Sequence, residues 1–282
     1  MNKKAKKKKK VVRGYEDKNI HSYYDTDQSK LLSNARQIAI GQLTKHVNVT
    51  GTIVDVGCGT GNALLEIFQK FSFDKFYGLD LSREMLNIAK TKIPHLTDIC
   101  DSGLNLYKYF QEPTADLLNL HFLFAYLDYQ QLIQQASKII KKGGLLSICT
   151  NTRNSLLNIQ QLSVQYLAPI LKLLSFDLRA CQQKYFNLLP DANSLTAVLE
   201  EHGFQVEELD VMKQQIKVNN WREAWDFTYN AGWFSGEMQH DGIGKYKLFL
   251  MFTLLKMLYH FSEKKNFVED EMEILVVTAR KK

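Results

Sequence analysis

The sequence predicts an α/β fold, doubly wound around a mostly parallel seven-stranded sheet and carrying a helical lid. Three observations lead there. From Thr52 to Thr150 short apolar runs alternate with segments of helical period, the pattern of strand–helix–strand units whose parallel strands are buried on both faces. The first apolar run ends in a glycine-rich turn that opens a helix. The composition is that of a packed protein, with 45% hydrophobic and 11% aromatic residues and only 4 Pro and 15 Gly in 282 residues, which excludes a disordered or collagen-like body.

Lys3, Lys4 and Lys6 to Lys10 place seven positive charges in the first ten residues, more than the whole formal net charge of +6. An attraction to anionic partners, nucleic acid included, is therefore expected only of a solvated basic tail, residues 1–14. Residues 15–51 form an N-terminal helical segment, with Leu31, Leu32, Ala35, Ile38, Ala39 and Leu43 at helical spacing. The core, 52–150, opens with a strand at Ile53–Val56 and a helix over Ala63–Phe71. A second strand, Phe76–Leu79, ends at Asp80, and the helix that follows to Lys92 has Ser82 placed to cap it. Thr97–Cys100 and Ala115–Leu120 are strands three and four. A helix over Tyr129–Lys141, closed by Gly143-Gly144, precedes a fifth strand at Leu145–Thr150. Residues 151–282 complete the sheet with strands at Phe204–Met212 and Glu273–Ala279, a short helix over Leu195–His202, a helical stretch over Asn154–Leu178 and a lid insertion over Val218–Phe267.

Cys58, Cys100, Cys149 and Cys181 are far apart, with no CxxC or Cys/His pair at metal spacing, so neither a metal nor a disulfide is expected and a cytoplasmic setting is. No transmembrane segment is expected either, since the longest apolar stretch, Leu248–Tyr259, is interrupted by Lys256 and is shorter than the roughly 20 residues that span a bilayer.

The chemistry is concentrated in Asp55-Val56-Gly57-Cys58-Gly59-Thr60-Gly61-Asn62. Glycines at a strand–helix turn let the backbone take positive φ and approach a nucleotide-like ligand. The spacing is GxGxG. A dinucleotide fingerprint would require Gly or Ala where Asn62 stands, and a phosphate-binding P-loop would require Gly-Lys-Ser/Thr. Asp80, 19 residues after Gly61, stands where a carboxylate can hold both ribose hydroxyls, and Asp101-Ser102 follows strand three at the height of an adenine. All of these lie at the carboxyl ends of strands, where open α/β sheets bind ligands.

These residues resemble the class I S-adenosylmethionine-dependent methyltransferases, whose first motif is an acid two residues before GxGxG. The resemblance covers Thr52–Thr150 and implies a Rossmann-like methyltransferase fold with S-adenosylmethionine as cofactor. It further implies that Gly57, Gly59 and Gly61 face the methionine part, that Asp55 supports the turn and the cofactor's amino end, that Asp80 holds the ribose, and that Asp101 and Ser102 meet the adenine. Met85 packs either in the core or against the adenine. His121, just past strand four, is the candidate acceptor-side base or ligand, or else a structural histidine. Cys58 reads as a turn residue with no base beside it in sequence.

A fainter resemblance, in the placement of Tyr24-Asp25 through Leu43, Trp221–Gly232 and Tyr259–Arg280, is to the malonyl-acyl-carrier-protein O-methyltransferases of biotin synthesis. It implies a small-molecule or acyl-carrier-protein-linked acceptor under a lid, with Tyr23, Tyr24, Arg153, Trp221, Arg222, Trp225 and Trp233 as candidate contacts. A carboxylate acceptor is ionised at neutral pH and needs no base, so O-methylation of an acid is one expectation. Two alternatives stay open, a protein or RNA methyltransferase that uses the basic tail and a noncatalytic cofactor-binding regulator.

Overall fold

A computed structural model describes residues 25–27, 29–47, 50–162, 189–218, 223 and 268–282. The chain divides into two compact units. One comprises 27–154, 187–213 and 273–282, and the other comprises 1–26, 155–186 and 214–272.

The elements follow in order: α1 (Leu31–His46), β1 (Thr52–Val56), α2 (Asn62–Lys70), β2 (Lys75–Asp80), α3 (Arg83–Lys92), β3 (Thr97–Cys100), a 3-10 turn (Gly103–Lys108), β4 (Ala115–His121), α4 (Tyr129–Ile139), β5 (Ile140–Asn151), α5 (Leu157–Leu162), α6 (Ala192–Glu201), β6 (Phe204–Val218) and β7 (Val268–Lys281). The strands form one seven-stranded sheet in the order β3-β2-β1-β4-β5-β7-β6. β3, β2, β1, β4 and β5 run parallel, and β7 pairs with β5 antiparallel.

The double winding shows in how the cores divide. Ile53, Leu117 and Leu145 pack with Leu43 of α1, Leu64 and Ile67 of α2 and Leu86 and Ala89 of α3. Val54, Val56, Leu118, Leu120, Leu146 and Ile148 pack with Leu106 of the 3-10 turn, Leu132, Ile133 and Ala136 of α4 and Leu195 and Leu199 of α6. Period-two alternation along each strand sends neighbours to opposite faces, which is why β1 and β4 are almost unbroken apolar runs. Helix starts follow side-chain chemistry: Ser82 Oγ accepts from Met85 N at the start of α3, Asp128 accepts from Gln130 N and Gln131 N at α4, and Asp191 from Ser194 N at α6.

Several boundaries depart from expectation: β6 runs on to Val218 rather than Met212, β7 begins at Val268 rather than Glu273, and α6 begins at Ala192 rather than Leu195. The helix expected to reach Lys141 stops at Ile139, and β5 begins at Ile140 rather than Leu145. The Gly143-Gly144 pair, with Gly143 at φ 80°, lies inside the strand, next to a register shift between Ala115 and Leu117 on β4. Pairing with Ala115 supplies ladder partners that no local propensity reveals. Of the insertion expected over Val218–Phe267, all but Val218 and Glu223 lies outside the described residues, as does most of Asn154–Leu178.

Candidate cofactor and acceptor site

The glycine loop is held from below by β2 and from the side by a carboxylate. Gly57 N and Cys58 N both donate to Leu79 O, at 2.6 and 3.1 Å. Asp80 Oδ2 accepts from Gly59 N at 3.0 Å and Asp80 Oδ1 from Ser82 N at 2.8 Å, so one side chain ties the loop to the α3 cap. Gly57, Gly59 and Gly61 have φ of 71°, 52° and 82°, the left-handed region that side chains occupy only at a cost. A Cβ on Gly57 would meet Leu123 Cδ2 at 2.7 Å and one on Gly61 would meet Ala89 Cβ at 2.9 Å, while one on Gly59 would point into open space. Gly59 is therefore where a ligand can lie against the backbone. The N-cap of α2 is Gly61, which brings no side-chain cap, and the helix N-terminus faces the glycine turn.

Asp55 is buried on β1 with Oδ2 unpartnered. Burial, with the Asp80 charge behind it, pushes its carboxyl from 3.8 up to about 8. Cys58 is buried and burial likewise pushes its thiol up, so it is no nucleophile. Met85 is buried in the first turn of α3. Asp101 is committed within its own turn: Oδ1 accepts from Ser102 N at 2.8 Å and Asn105 Nδ2 at 3.0 Å, and Oδ2 from Tyr109 Oη at 3.0 Å. Ser102 Oγ accepts from Leu104 N at 3.3 Å.

At the end of β4, His121 Nε2 shares a 2.9 Å hydrogen bond with Ser147 Oγ of β5, and its Nδ1 is buried without a partner. Burial first, then the Arg36 charge, push His121 from 6.5 down to about 3. It is neutral at physiological pH. Phe122 follows at φ 57°, an unusual conformation for an aromatic residue, with its N–H donating to Cys149 O at 2.6 Å. Leu123 comes next and packs over Gly57, so the loop after β4 reaches the glycine loop.

The structure thus gathers Asp55, the three glycines, Asp80 and the β4 terminus around the carboxyl ends of β1, β2 and β4. Arg153 is exposed two residues beyond β5, with its N–H donating to Leu189 O. Tyr23, Tyr24, Trp221, Arg222, Trp225 and Trp233 lie outside the described residues.

The family profile described as a methyltransferase domain matches residues 54–146, the span that builds this arrangement. The chain carries a methyltransferase domain and is an S-adenosylmethionine-dependent enzyme. It is similar to the demethylmenaquinone methyltransferase of Staphylococcus haemolyticus, 24% identical over 201 residues that make up 66% of this chain and 82% of that protein. It is similar over a shorter span to the trans-aconitate 2-methyltransferase of Rhizobium etli, 30% identical over 98 residues, 34% of this chain and 36% of that protein. Among solved structures, the Bacillus halodurans protein BH2331, assigned as a methyltransferase, shares the fold with a TM-score of 0.54 at 16% identity, covering 89% of this chain and 99% of that one.

The methyltransferase's residues fit a sulfonium nucleoside on physical grounds. The free side of Gly59 accepts a flat backbone contact, and a cation seated near Asp55 would return its carboxyl to the ionised form. Among the described residues no helix is long and apolar enough to cross a membrane, and no group of metal-ligating side chains assembles.

Four polar residues of the site escaped the sequence reading: Arg36, Glu66, Asn119 and Ser147. A signal existed for two of them. Arg36 shares the stripe of Leu32, Ala39, Ile40 and Leu43 on α1, and Asn119 interrupts the apolar run of β4 on the face that carries His121. Glu66 and Ser147 are ordinary choices on their own elements and gain meaning only from strands and helices brought together.

Asp55 gives a pH prediction. Between its unfolded value of 3.8 and its folded value of about 8 the folded protein holds the extra proton, so this group lowers stability progressively as pH rises through that window. Asp55→Asn removes the slope. In melting curves of ligand-free protein, the variant's lead over the parent should widen from pH 4 to pH 8; parallel curves would mean that Asp55 is ionised in the folded state.

Proposed function

We propose that the protein methylates a small-molecule acid or enol that reaches the site already ionised, a carboxylate oxygen or an activated carbon being the nucleophile. The observation that carries this is His121. It is the titratable group at the acceptor end of β4, and it is held neutral with a pKa of about 3, bonded to Ser147. A group so placed can position an acceptor but takes no proton with a limb near neutrality. S-adenosylmethionine supplies an electrophilic methyl on a sulfonium with a neutral leaving group, so alignment and exclusion of water are the protein's tasks. The names of the similar proteins, a quinone-precursor methyltransferase and an aconitate methyltransferase, support such an acceptor.

Within this reading, Gly57, Gly59 and Gly61 face the methionine part. Asp80 meets the ribose hydroxyls from the end of β2, where its carboxylate also accepts from Gly59 N and Ser82 N. Asp101 and Ser102 line the adenine end, and Met85 packs beneath it. Tyr24, Arg153, Trp221 and Arg222 remain proposed acceptor contacts.

The test is a product screen with labelled S-adenosylmethionine against trans-aconitate and simpler acids, demethylmenaquinol-type quinols, malonyl-acyl-carrier protein, protein and RNA. Label on a small acid or quinol is the expected result, and label confined to RNA or protein would overturn it. On the accepted substrate, turnover should be flat from about pH 6.5 to 9, and His121→Ala should lower it by less than about tenfold. A bell-shaped profile whose acidic limb vanishes in His121→Ala would make His121 a base.

A further inference from the structure

We propose that Arg36, with Asn119 and His121, forms a carboxylate-binding site beneath α1 at the carboxyl ends of β4 and β5. This rests on the cofactor and small-acid reading above and names the polar anchor of that site.

Helix α1 lies over this part of the sheet: Cys149 Sγ of β5 donates to Ala35 O at 3.9 Å, and the next residue is Arg36. The Arg36 side chain is 13% exposed, and its Nε donates to Glu66 Oε1 of α2 at 2.8 Å. Among the described residues Glu66 is its only partner, so the two terminal nitrogens of the guanidinium are uncommitted. Below them, Asp55, Asn119 and Ser147 are register partners across β1, β4 and β5, and so stand in one row on one face. His121 is on that face two residues beyond Asn119, opposite Cys149. The Arg36 charge acts on both His121 and Cys149.

Among the described residues, the buried side-chain atoms without a hydrogen-bond partner are Asp55 Oδ2, Glu66 Oε2, both amide atoms of Asn119 and His121 Nδ1. All belong to this one row and the pair above it. Asn119 is 0% exposed. More than about nine in ten buried polar groups in folded proteins are paired, and leaving one unpaired costs about 1–3 kcal/mol. Such a concentration of unpaired groups in one place is what a polar ligand would complete. A carboxylate would pair with Asn119 Nδ2 and with His121 Nδ1 in the tautomer that carries the ring proton there, while the oxygens of Asp55, Glu66 and Asn119 call for donors elsewhere on the same ligand or from water.

The charges choose the ligand. Arg36 brings a guanidinium whose flat end matches a carboxylate with two parallel hydrogen bonds, and Asn119 Nδ2 and a neutral imidazole add donors. A lone ammonium would face the Arg36 charge and a lone hydroxyl would leave the fork unused, while an ammonium carried beside a carboxylate would find Asp55 in the same row. Two carboxylates come within reach of a site beside the glycine loop, the amino-acid end of the cofactor and the acid group of the acceptor. The chemistry is shared and experiment separates the sources.

The experiment is calorimetry on the full-length, ligand-free protein, comparing wild type, R36Q and R36K. The first arm titrates S-adenosylhomocysteine and its decarboxylated analogue, which has an aminopropyl chain. The second titrates trans-aconitate and succinate into protein saturated with S-adenosylhomocysteine. If the cofactor supplies the carboxylate, R36Q weakens S-adenosylhomocysteine by about ten- to a hundredfold and leaves the analogue unchanged, while R36K, charged but lacking the fork, falls between. If the acceptor supplies it, both nucleosides bind R36Q as they bind wild type, and the free acids bind wild type but not R36Q. Either pattern supports the site. It is overturned if R36Q changes neither arm, which would leave the row filled by water only, or if R36Q weakens both nucleosides equally, which would make Arg36 scaffold. Should R36Q fail to fold, R36K and the wild-type preference for S-adenosylhomocysteine over the analogue read the same question. Failure of wild type to bind either nucleoside would instead sink the cofactor assignment itself.

Discussion

Gly59→Ala should abolish tight cofactor binding while leaving the melting temperature nearly in place, whereas Gly61→Ala should damage both. The two glycines share the left-handed region, at φ 52° and 82°, where a side chain costs roughly 1–2 kcal/mol. They differ in what a methyl group would meet. At Gly59 it would enter open space, so the fold bears only the backbone strain, while the methyl occupies the surface on which the cofactor would lie. At Gly61 it would sit 2.9 Å from Ala89 Cβ and 3.1 Å from Ala89 Cα. The second of these is helix backbone that cannot swing aside, and overpacking of this kind adds about 1–3 kcal/mol. A loss on the order of 10 °C is expected for Gly61→Ala and a few degrees for Gly59→Ala. S-adenosylhomocysteine affinity should fall by more than about tenfold in both. Thermal melting with and without S-adenosylhomocysteine, together with calorimetry, separates the cases. Tight binding by Gly59→Ala would show that the cofactor does not cross the loop there.

Asp80→Ala should weaken S-adenosylhomocysteine by roughly ten- to a hundredfold, since hydrogen bonds to a charged group contribute about 1.5–3 kcal/mol. Its effect should reach further than the ribose. The same carboxylate accepts from Gly59 N and Ser82 N, so its removal also leaves a loop N–H without its acceptor. Asp80 is in addition the second cause, after burial, of the raised Asp55 carboxyl. Removing its charge should bring Asp55 down from about 8, though not to its ordinary value, because burial remains. The pH window over which ligand-free protein loses stability should narrow accordingly. Unchanged nucleoside affinity in Asp80→Ala would remove Asp80 from the cofactor site.

The parts of this architecture that were legible beforehand are those encoded locally. The strand at Thr97–Cys100, the Ser82 cap, the glycine turn and Asp80 at the end of β2 all depend on residues within one turn or one strand, and each stands where its local chemistry puts it. The start of β5 was missed because Ile140 extends only by pairing with Ala115 across a register shift, a non-local gain that outweighs the turn preference of Gly143-Gly144. The row of Asp55, Asn119 and Ser147 was hidden for the same reason. Asp55 was visible in the glycine motif and Asn119 as a break in the apolar run of β4, but only the order β1-β4-β5 sets them side by side with Ser147. His121 was visible as a candidate, but its state depends on its burial first and then on Arg36, 85 positions earlier in the chain.

The placement of β7 has a consequence for synthesis. Gln42 of α1 donates from Nε2 to Val276 O at 3.1 Å and to Asp210 Oδ2 at 2.8 Å, and accepts from Thr278 Oγ1 at 2.8 Å. The helix that carries Arg36 is thus fastened by strands made long after it. A nascent chain emerging from the ribosome can pair β1 to β5 as they appear, but one side of β5 stays an open edge until Val268–Lys281 has left the exit tunnel. Through that interval the chain presents the unpaired strand edge that invites association with other chains. Maturation of the anchor beneath α1 is a late event, and yield in the cell should respond to chaperones that shield β5 more than to changes around the glycine loop.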